Sequence, residues 1–296
     1  MSATAAAAFH SSLRMSSQQQ PNIPLSAKPK TKTPLQDHPL YPQAHTHLSL
    51  QFKEKVLCLE VLGVDSGRAL SQNPALQTAS LNSINSIISF LHSKGIHQKD
   101  LGKILGMCPK ILTSNIRTDL NPVFKFLSED LSVPQHSFRR VINKCPRLLA
   151  SSVRDQLKPA LFYLQRLGFQ DLGALAYQDS ILLVSNVEKT LIPKLKYLEG
   201  LGFSRSEAVG MVLRCPGLFT YSVENNFKPK FEYFGEEMKG SLEELKEFPQ
   251  YFSFSLEKRI KPRHIATLKS GVTVPLPAML KSTDEEFMEL IRQGGG

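Results

Sequence analysis

The chain lacks several features that would assign it to a common class of protein. Its 296 residues include no tryptophan and four cysteines, and no run of 18 apolar residues occurs, so the sequence predicts no membrane span. Glycine-rich phosphate loops and the nucleophile elbow of hydrolases are absent. No cluster of histidines or carboxylates has the spacing of metal ligands. We therefore expect no enzyme, no cofactor and no metal site.

Acidic residues are missing from the amino-terminal segment. Residues 1–36 contain no aspartate or glutamate, but they hold four basic residues and many Ser, Ala, Thr, Gln and Pro. Such a composition is typical of an organelle transit peptide. The scarcity of arginine favours a plastid over a mitochondrion, and an ordinary disordered tail is the other alternative. We assign residues 1–50 to a transit peptide and a disordered linker.

Pairs of prolines recur through the rest of the chain. Most pairs are 13 residues apart, and successive pairs are 33 to 37 residues apart. Ser180 replaces the first proline of one pair, and Ser86 stands near the second position of the earliest pair. The pairs, including these two, are Pro74 with Ser86, Pro109 with Pro122, Pro146 with Pro159, Ser180 with Pro193, Pro216 with Pro229, and Pro249 with Pro262. A period of this length indicates a helical repeat.

Each repeat predicts a helix, a proline-containing turn and a second, capped helix. Six positions after each first-proline site stands a residue suited to a helix N-cap: Ser80, Asn115, Ser152, Asn186, Ser222 and Ser255. The second proline falls about two turns inside the second helix, where it removes a backbone hydrogen bond and is expected to kink the helix. Apolar columns beside both prolines predict that units stack. We expect an all-α, right-angle-free helical repeat solenoid (a superhelix) of about six units over residues 51–274. A short helix from Thr283 to Arg292 and a glycine tail complete residues 275–296.

The repeat resembles a known family. The proline pairs, the Leu-Gly-Phe turns at 167–169 and 201–203, and the opening Val-Leu-Gly-Val-Asp at 61–65 are similar to those of the organellar transcription termination factor family, mTERF. This resemblance covers roughly residues 56 to 272. It implies a superhelix of three-helix units with a basic concave face that holds double-stranded DNA or structured RNA. Tetratricopeptide and pentatricopeptide arrays share the period but lack the proline pair.

Two further columns invite a chemical interpretation. Cys108, Cys145 and Cys215 each precede a first proline, too far apart in a solenoid to share a metal or a disulfide, so we expect them to pack in the core. An aromatic column could stack on bases. Because its members share a face with leucines, we expect core packing instead. The column consists of Phe126, Tyr163, Tyr197 and Tyr233.

Basic residues carry the main indication of function. The formal net charge is +10, and residues 99–168 hold twelve basic and five acidic residues, whereas residues 231–248 hold two and six. This asymmetry fits a phosphate-binding groove of limited length, with solvated helix faces as the alternative. We predict nucleic-acid binding by basic residues that recur around the prolines, together with an arginine pair in a first helix. These residues are Lys110, Arg117, Arg139, Arg140, Arg147, Arg154, Lys158, Lys194, Lys228, Lys230, Lys261 and Arg263.

Two classes of function remain open. The favoured class is a monomeric plastid factor that binds double-stranded DNA or structured RNA, with organellar transcription or RNA-processing proteins as further partners. It would act in transcription termination or regulation, or in transcript maturation by rRNA processing or intron splicing. The alternative class is a helical-repeat scaffold that binds protein. Phosphate contacts impose a steep salt dependence on binding, and this property separates the two classes.

The acid-free leader generates the first prediction. We expect residues 1–60, fused to a fluorescent reporter, to direct the reporter into plastids. The mature protein should then begin between residues 30 and 55. Fluorescence microscopy and amino-terminal sequencing of the imported protein check both points. A cytosolic or secreted reporter would contradict the prediction.

Overall fold

The computed structural model describes residues 49–294, so the predicted transit peptide lies outside this range. Every regular element in the described residues is helical, which confirms the all-α helical repeat. A leading helix, α1, covers Leu50–Val61 and precedes six repeated units. The first helices of the six units are α2 (Ser66–Gln72), α4 (Gln98–Met107), α6 (Phe138–Lys144), α8 (Leu172–Gln178), α11 (Arg205–Arg214) and α13 (Leu242–Glu247).

A short turn, which we call the proline turn, follows each first helix. Five of these turns are single 3-10 helices that begin at the first proline: Pro74–Gln77, Pro109–Thr113, Pro146–Ala150, Pro216–Thr220 and Pro249–Ser253. Proline suits this position because its fixed φ is helical and the first helical residue needs no N–H partner. In the fourth unit Ser180 replaces proline, and the turn is instead α-helical: α9 (Ser180–Leu183). Ser180 is nevertheless fully buried in the same place.

Each second helix contains a regular α-helical segment: α3 (Leu81–Ser93), α5 (Asn121–Lys125), α7 (Lys158–Leu167), α10 (Ile192–Gly200), α12 (Lys228–Glu236) and α14 (Lys261–Ser270). In units 2 to 6 a widened π turn comes directly before this segment. The π turns are Ile116–Leu120, Val153–Leu157, Val187–Leu191, Val223–Phe227 and Leu256–Ile260. The second proline is the second residue of the segment that follows.

The second proline accounts for the π turn. In unit 3, Pro159 has no N–H to donate, and its ring would press on the carbonyl four residues earlier in a regular α-helix. The backbone instead uses longer-range bonds: Leu157 N–H donates to Ser152 O at 3.0 Å, and Lys158 N–H donates to Val153 O. Unit 1 has Ser86 near this position, and its second helix runs from Leu81 to Ser93 without a π turn. The sequence predicted a kink at the second proline, and what the structure shows there is a widening of the helix.

All six predicted N-caps are confirmed. In each unit the side-chain oxygen of the predicted residue accepts a backbone N–H from the first turn of the second helix. Ser152 Oγ, for example, accepts from Asp155 N–H at 3.1 Å. Such a bond satisfies one of the donors that a helix leaves open at its amino end.

The apolar columns form one continuous core. The residue two positions before each second proline is completely buried, as in Leu120, Leu157 and Ile260. The two apolar residues inside the proline turns of units 2 to 6 are buried as well, for example Leu148 and Leu149. Tyr163, Tyr197 and Tyr233 are half-buried and pack against this core, while Phe126 is buried, so the aromatic column packs as predicted. The core joins every unit to its neighbours, as stacking requires.

A left-handed residue ends each second helix. Gly168 and Gly202 take φ values of 109° and 108°, as the Leu-Gly-Phe turns predict. Units 2 and 5 have Ser132 and Lys239 at this place, both at a φ of 54°. A side chain in this conformation costs about 1 kcal/mol. Units 2 and 5 therefore keep the left-handed turn without a glycine.

Two helices follow the sixth unit. Helix α16 (Asp284–Gly294) corresponds to the predicted short helix, and Thr283 and Glu286 cap its amino end reciprocally. Helix α15 (Leu276–Lys281) was not anticipated from the sequence, because Pro275 and Pro277 suggest an extended segment. Both prolines instead stand at the start of the helix, where proline is tolerated. Leu276, Met279 and Leu280 are buried against the last unit.

The core and the caps should differ in their contribution to stability. Leu157→Ala removes a completely buried side chain and should lower the free energy of unfolding by about 2–5 kcal/mol. Ser152→Ala removes one exposed capping bond and should cost about 1 kcal/mol. Chemical denaturation followed by circular dichroism compares the two variants. A Leu157 variant as stable as the parent would contradict the assigned core.

Candidate nucleic-acid interface

The sign of the charge at the start of the second helix divides the repeat in two. The position two residues after the N-cap is Arg117 in unit 2 and Arg154 in unit 3. The same position is acidic in the next three units: Glu188, Glu224 and Glu257. Acidic residues are favourable at a helix amino end, whereas a basic residue there opposes the helix dipole by about 0.3–1 kcal/mol. The helix dipole therefore explains the three glutamates but not the two arginines.

A groove between units 2 and 3 collects three of the predicted residues. Its volume is about 660 Å³, and Lys110, Arg154 and Lys158 contribute its cationic side chains. Lys110 comes from the proline turn of unit 2, and the other two come from the second helix of unit 3. Four hydroxyl-bearing residues also line the groove: Ser114, Thr118, Ser151 and Ser152. We call this site the basic groove.

Backbone donors add to the positive character of the basic groove. The first bonds of the unit 3 helix are made by Asp155 N–H to Ser152 Oγ and by Gln156 N–H to Ser152 O. The N–H groups of Val153 and Arg154 precede these and have no intrahelical acceptor. Both residues line the groove. Free N–H groups at the amino end of a 15-residue stretch of helix attract anions, and phosphate above all.

Lys158 makes one ion pair within the described residues. Its Nζ lies 3.2 Å from Asp130 Oδ1, and the two side chains are 56% and 28% exposed. Exposed pairs of this kind contribute about 0–1 kcal/mol. Asp119 also lines the groove, but its carboxylate accepts from Asn115 N–H and from the Thr118 hydroxyl. The carboxylates near the groove are thus held by their own helix ends or by a weak contact, and Lys158 can exchange its partner for a phosphate.

The remaining exposed candidates lie outside the basic groove. Arg117, Arg140, Arg147 and Lys228 are all exposed. The Arg140 guanidinium stands 5.3 Å from the centre of the Tyr177 ring, a cation–π contact. Lys261 is half-buried and pairs with Glu257 one helical turn away. These residues therefore do not line the basic groove.

Arg139 is engaged in an ion pair. Its Nε and one terminal nitrogen donate to the two carboxylate oxygens of Asp100 at 2.6 and 3.2 Å. This bidentate contact holds the pKa of Asp100 below its usual range. It joins α6 to α4, the first helices of neighbouring units, so Arg139 serves the stacking of units 2 and 3.

Three other candidates donate hydrogen bonds to backbone carbonyls of the element that follows them. Lys194 Nζ donates to Phe219 O at 2.5 Å, Lys230 Nζ donates to Phe252 O at 2.6 Å, and Arg263 donates to Met279 O at 2.6 Å. Lys55 donates in the same way to Leu76 O at 2.7 Å. Each cation thus satisfies carbonyls at the end of the next turn or helix, where intrahelical donors are lacking. We call these four residues the carbonyl clamps, and the proposed interface omits them.

The column after the second proline explains why these cations are unavailable. In units 2 and 3 the same column holds Val123 and Ala160, both completely buried. The column therefore faces the interior: Lys230 and Arg263 are only 6% and 4% exposed, and Lys194 is half-buried. Burial lowers the pKa of Lys194 and lowers the pKa of Lys230 to about 8. Apolar residues in two copies of the column were the sequence signal for this role.

A second series of cations links the first helices. Lys103 Nζ donates to Asn143 O at 2.8 Å, Lys144 Nζ donates to Tyr177 O at 2.9 Å, and Arg214 donates to Lys246 O. In each case a residue near the carboxyl end of one first helix reaches the same end of the next. These basic residues were not singled out from the sequence. Part of the positive charge of the chain therefore stabilises the stack.

The thiols of the cysteine column are not activated for nucleophilic chemistry or metal binding. Burial raises the pKa of the Cys108, Cys145 and Cys215 thiols, so the thiolate form is disfavoured. Among residues 49–294 no group of three or more His, Cys, Asp or Glu side chains is placed to hold a metal ion. None of the helices in the same range is long and apolar enough to cross a membrane.

The chain is similar to known proteins along most of its length. The family model described as mTERF matches residues 28–174 and 174–288. Transcription termination factor MTERF2, chloroplastic, from Arabidopsis thaliana is 33% identical over 134 residues, which are 45% of this chain and 21% of that protein. Transcription termination factor MTERF4, chloroplastic, is 39% identical over 87 residues in Oryza sativa subsp. japonica and 40% identical over 77 residues in Arabidopsis thaliana. These matches cover 29% and 26% of this chain, and 17% and 14% of the relatives.

The buried ammonium of Lys230 generates a prediction of pH dependence. Its folded-state pKa of about 8 lies below the value of 10.5 for a free lysine. Between these values the unfolded chain binds the additional proton, so this residue makes folding more favourable as the pH rises. Relative to Lys230→Met, the parent should gain about 2 kcal/mol in unfolding free energy between about pH 8 and pH 10. Urea denaturation of both proteins across this range measures the difference, and a constant difference would contradict the assignment.

Proposed function

The chain belongs to the mTERF family, and from that premise we propose that it is a plastid factor that binds double-stranded DNA or structured RNA through the basic groove. The observation that carries the proposal is the convergence of Lys110, Arg154 and Lys158 on the open amino end of a helix. Cations and free N–H groups together are suited to phosphate. The chloroplastic names of the relatives support the plastid, and a mitochondrial destination stays the alternative.

Contacts in the basic groove suit the nucleic-acid backbone better than the bases. The groove offers cations, hydroxyl groups and N–H donors, all of which bind phosphate oxygens. None of the three cations makes a bidentate contact that would fix its orientation within residues 49–294. We therefore propose recognition by charge and shape, with sequence preference supplied by deformability or by a partner.

The proposed process is organellar transcription termination or its regulation, as the relatives' names suggest. Transcript maturation by rRNA processing or intron splicing is the alternative process. The same phosphate contacts serve either role, because both begin with binding a nucleic-acid backbone. The chain supplies binding, and we propose no catalytic step.

A protein-binding scaffold is the second candidate function. It is favoured by the six acidic residues of 231–248, all of which are exposed: Glu232, Glu236, Glu237, Glu243, Glu244 and Glu247. Such a surface repels phosphate. The two candidates are compatible if different units carry them, and the salt dependence of nucleic-acid binding tests the first alone.

The basic groove generates the main functional prediction. Lys110, Arg154 and Lys158 changed together to Ala should weaken binding to a duplex of about 30 base pairs, because fewer phosphates are neutralised and fewer counterions are released. The slope of log K against log salt should become shallower by about 2–3, at about 0.9 for each phosphate that is no longer neutralised. Fluorescence anisotropy between about 50 and 200 mM KCl measures both quantities. A parallel titration with a hairpin RNA compares the two ligands.

A matched variant controls for net charge. Lys189, Lys196 and Lys269 are exposed lysines outside the basic groove, and their change to Ala removes the same charge. This control should keep most of the parent's salt slope. Equal weakening of binding in both triple variants would leave only a non-specific effect of charge, and absence of binding by the parent would favour the scaffold. Thermal unfolding of both variants should stay close to that of the parent, because exposed residues contribute about 0.5 kcal/mol or less.

A further inference from the structure

The carboxyl-terminal helices form a second groove whose charge is opposite to that of the basic groove. Helices α15 and α16 line a shallow, open cleft of about 700 Å³. Pro277, Ala278 and Leu290 provide apolar surface in this cleft, and the carboxylates come from Glu285, Glu286 and Glu289. We call this cleft the acidic groove. Phosphate would be repelled by its carboxylates, so it cannot extend the nucleic-acid interface.

The apolar face of α16 is only partly covered. Phe287 and Ile291 point into the core and are buried, which fixes the helix on the last unit. Met288 and Leu290 are 47% and 36% exposed. In an internal unit the next unit covers such positions, as a solenoid requires. Met288 and Leu290 are not covered by any other part of residues 49–294, so they present apolar surface that another helix could cover.

The charges of the acidic groove are also available. Glu285 forms no hydrogen bond or ion pair with any other residue of 49–294, and Glu289 pairs with the exposed Arg292 on its own helix. Lys281 is the one basic residue in the lining, and its Nζ lies 5.0 Å from the centre of the Phe248 ring. Asp284, by contrast, is bound by Arg263. The acidic groove therefore presents net negative charge beside exposed apolar surface.

We propose that the acidic groove docks a basic amphipathic helix of a partner protein. Leucine-like side chains of that helix would cover Leu290 and Ala278, and its lysine or arginine residues would meet Glu285 and Glu289. Helices with one apolar and one charged face commonly bind such grooves. Opposite charges on the two surfaces set the orientation and the rate of association. The chain would thereby bring a protein to the nucleic acid held between units 2 and 3.

A synthetic peptide tests the acidic groove directly. The probe is a helix of about 18 leucine and lysine residues with one apolar face, and the control peptide has glutamate at every lysine position. The lysine peptide should bind the full chain and the glutamate peptide should not. Glu285→Lys with Glu289→Lys should weaken binding about tenfold or more, because two attractive contacts become repulsive. Fluorescence anisotropy with labelled peptide provides the measurement.

Two variants separate the acidic groove from general charge. Glu54→Lys with Glu129→Lys makes the same change of charge at two exposed positions outside the acidic groove, and it should leave peptide affinity within about twofold. Leu290→Asp adds a negative charge but removes apolar surface. Docking in the groove predicts weaker binding by this variant, whereas attraction by charge alone predicts tighter binding. Equal effects of the two double variants, or tighter binding by Leu290→Asp, would overturn the proposal.

Self-association is a further outcome that would overturn it. If light scattering shows a dimer that Leu290→Asp dissociates, the occupant of the acidic groove is a second copy of the chain. Duplex DNA titrated into the Glu285→Lys, Glu289→Lys variant reports on the basic groove separately. Retained DNA binding without peptide binding supports two independent surfaces. Absence of DNA binding by the parent would overturn the proposed function but not the peptide-binding result.

Discussion

The missing N–H of the second proline is the constraint on which the rest of the repeat depends. A regular α-helix cannot place proline two turns inside without losing a bond and crowding a carbonyl. The backbone widens to a π turn, and a new α-helical segment begins with the proline near its start. Unit 1, which has Ser86 near this position, has no such turn. This turn fixes which neighbouring columns face the core and which face solvent. In unit 3 the residue after the proline, Ala160, is completely buried, whereas the residue before it, Lys158, lines the basic groove.

The sequence could predict those features that depend on local geometry. N-caps such as Ser152, buried residues such as Leu157 and the left-handed turn at Gly168 all follow from short-range rules, and all are present. Features that depend on a neighbouring unit were harder to predict. Lys230 and Arg263 look like free cations in the sequence, because the carbonyls that bind them lie 16 or more residues away. Lys110, Arg154 and Lys158, which the sequence singled out, line the basic groove, whereas Arg147 does not line it.

Positive charge has two different uses in this fold. A cation beside the unsatisfied carbonyls at the carboxyl end of a helix stabilises the stack, as Lys144 does. A cation beside the unsatisfied N–H groups at an amino end opposes the same dipole, as Arg154 does. The first arrangement is explained by stability. The second arrangement places a basic side chain beside the positive end of the helix dipole. It becomes favourable when an anion binds there.

The position of opposite charges along the chain would limit the length of the proposed nucleic-acid interface. Arginine stands at the amino end of the second helix in units 2 and 3, and glutamate replaces it from unit 4 onward. A phosphate backbone that followed all the units would therefore meet carboxylates in units 4 to 6, where each contact would raise the free energy of binding. A short contact with units 2 and 3 avoids this cost. The acidic surface of units 4 to 6 would then lie outside the proposed nucleic-acid interface.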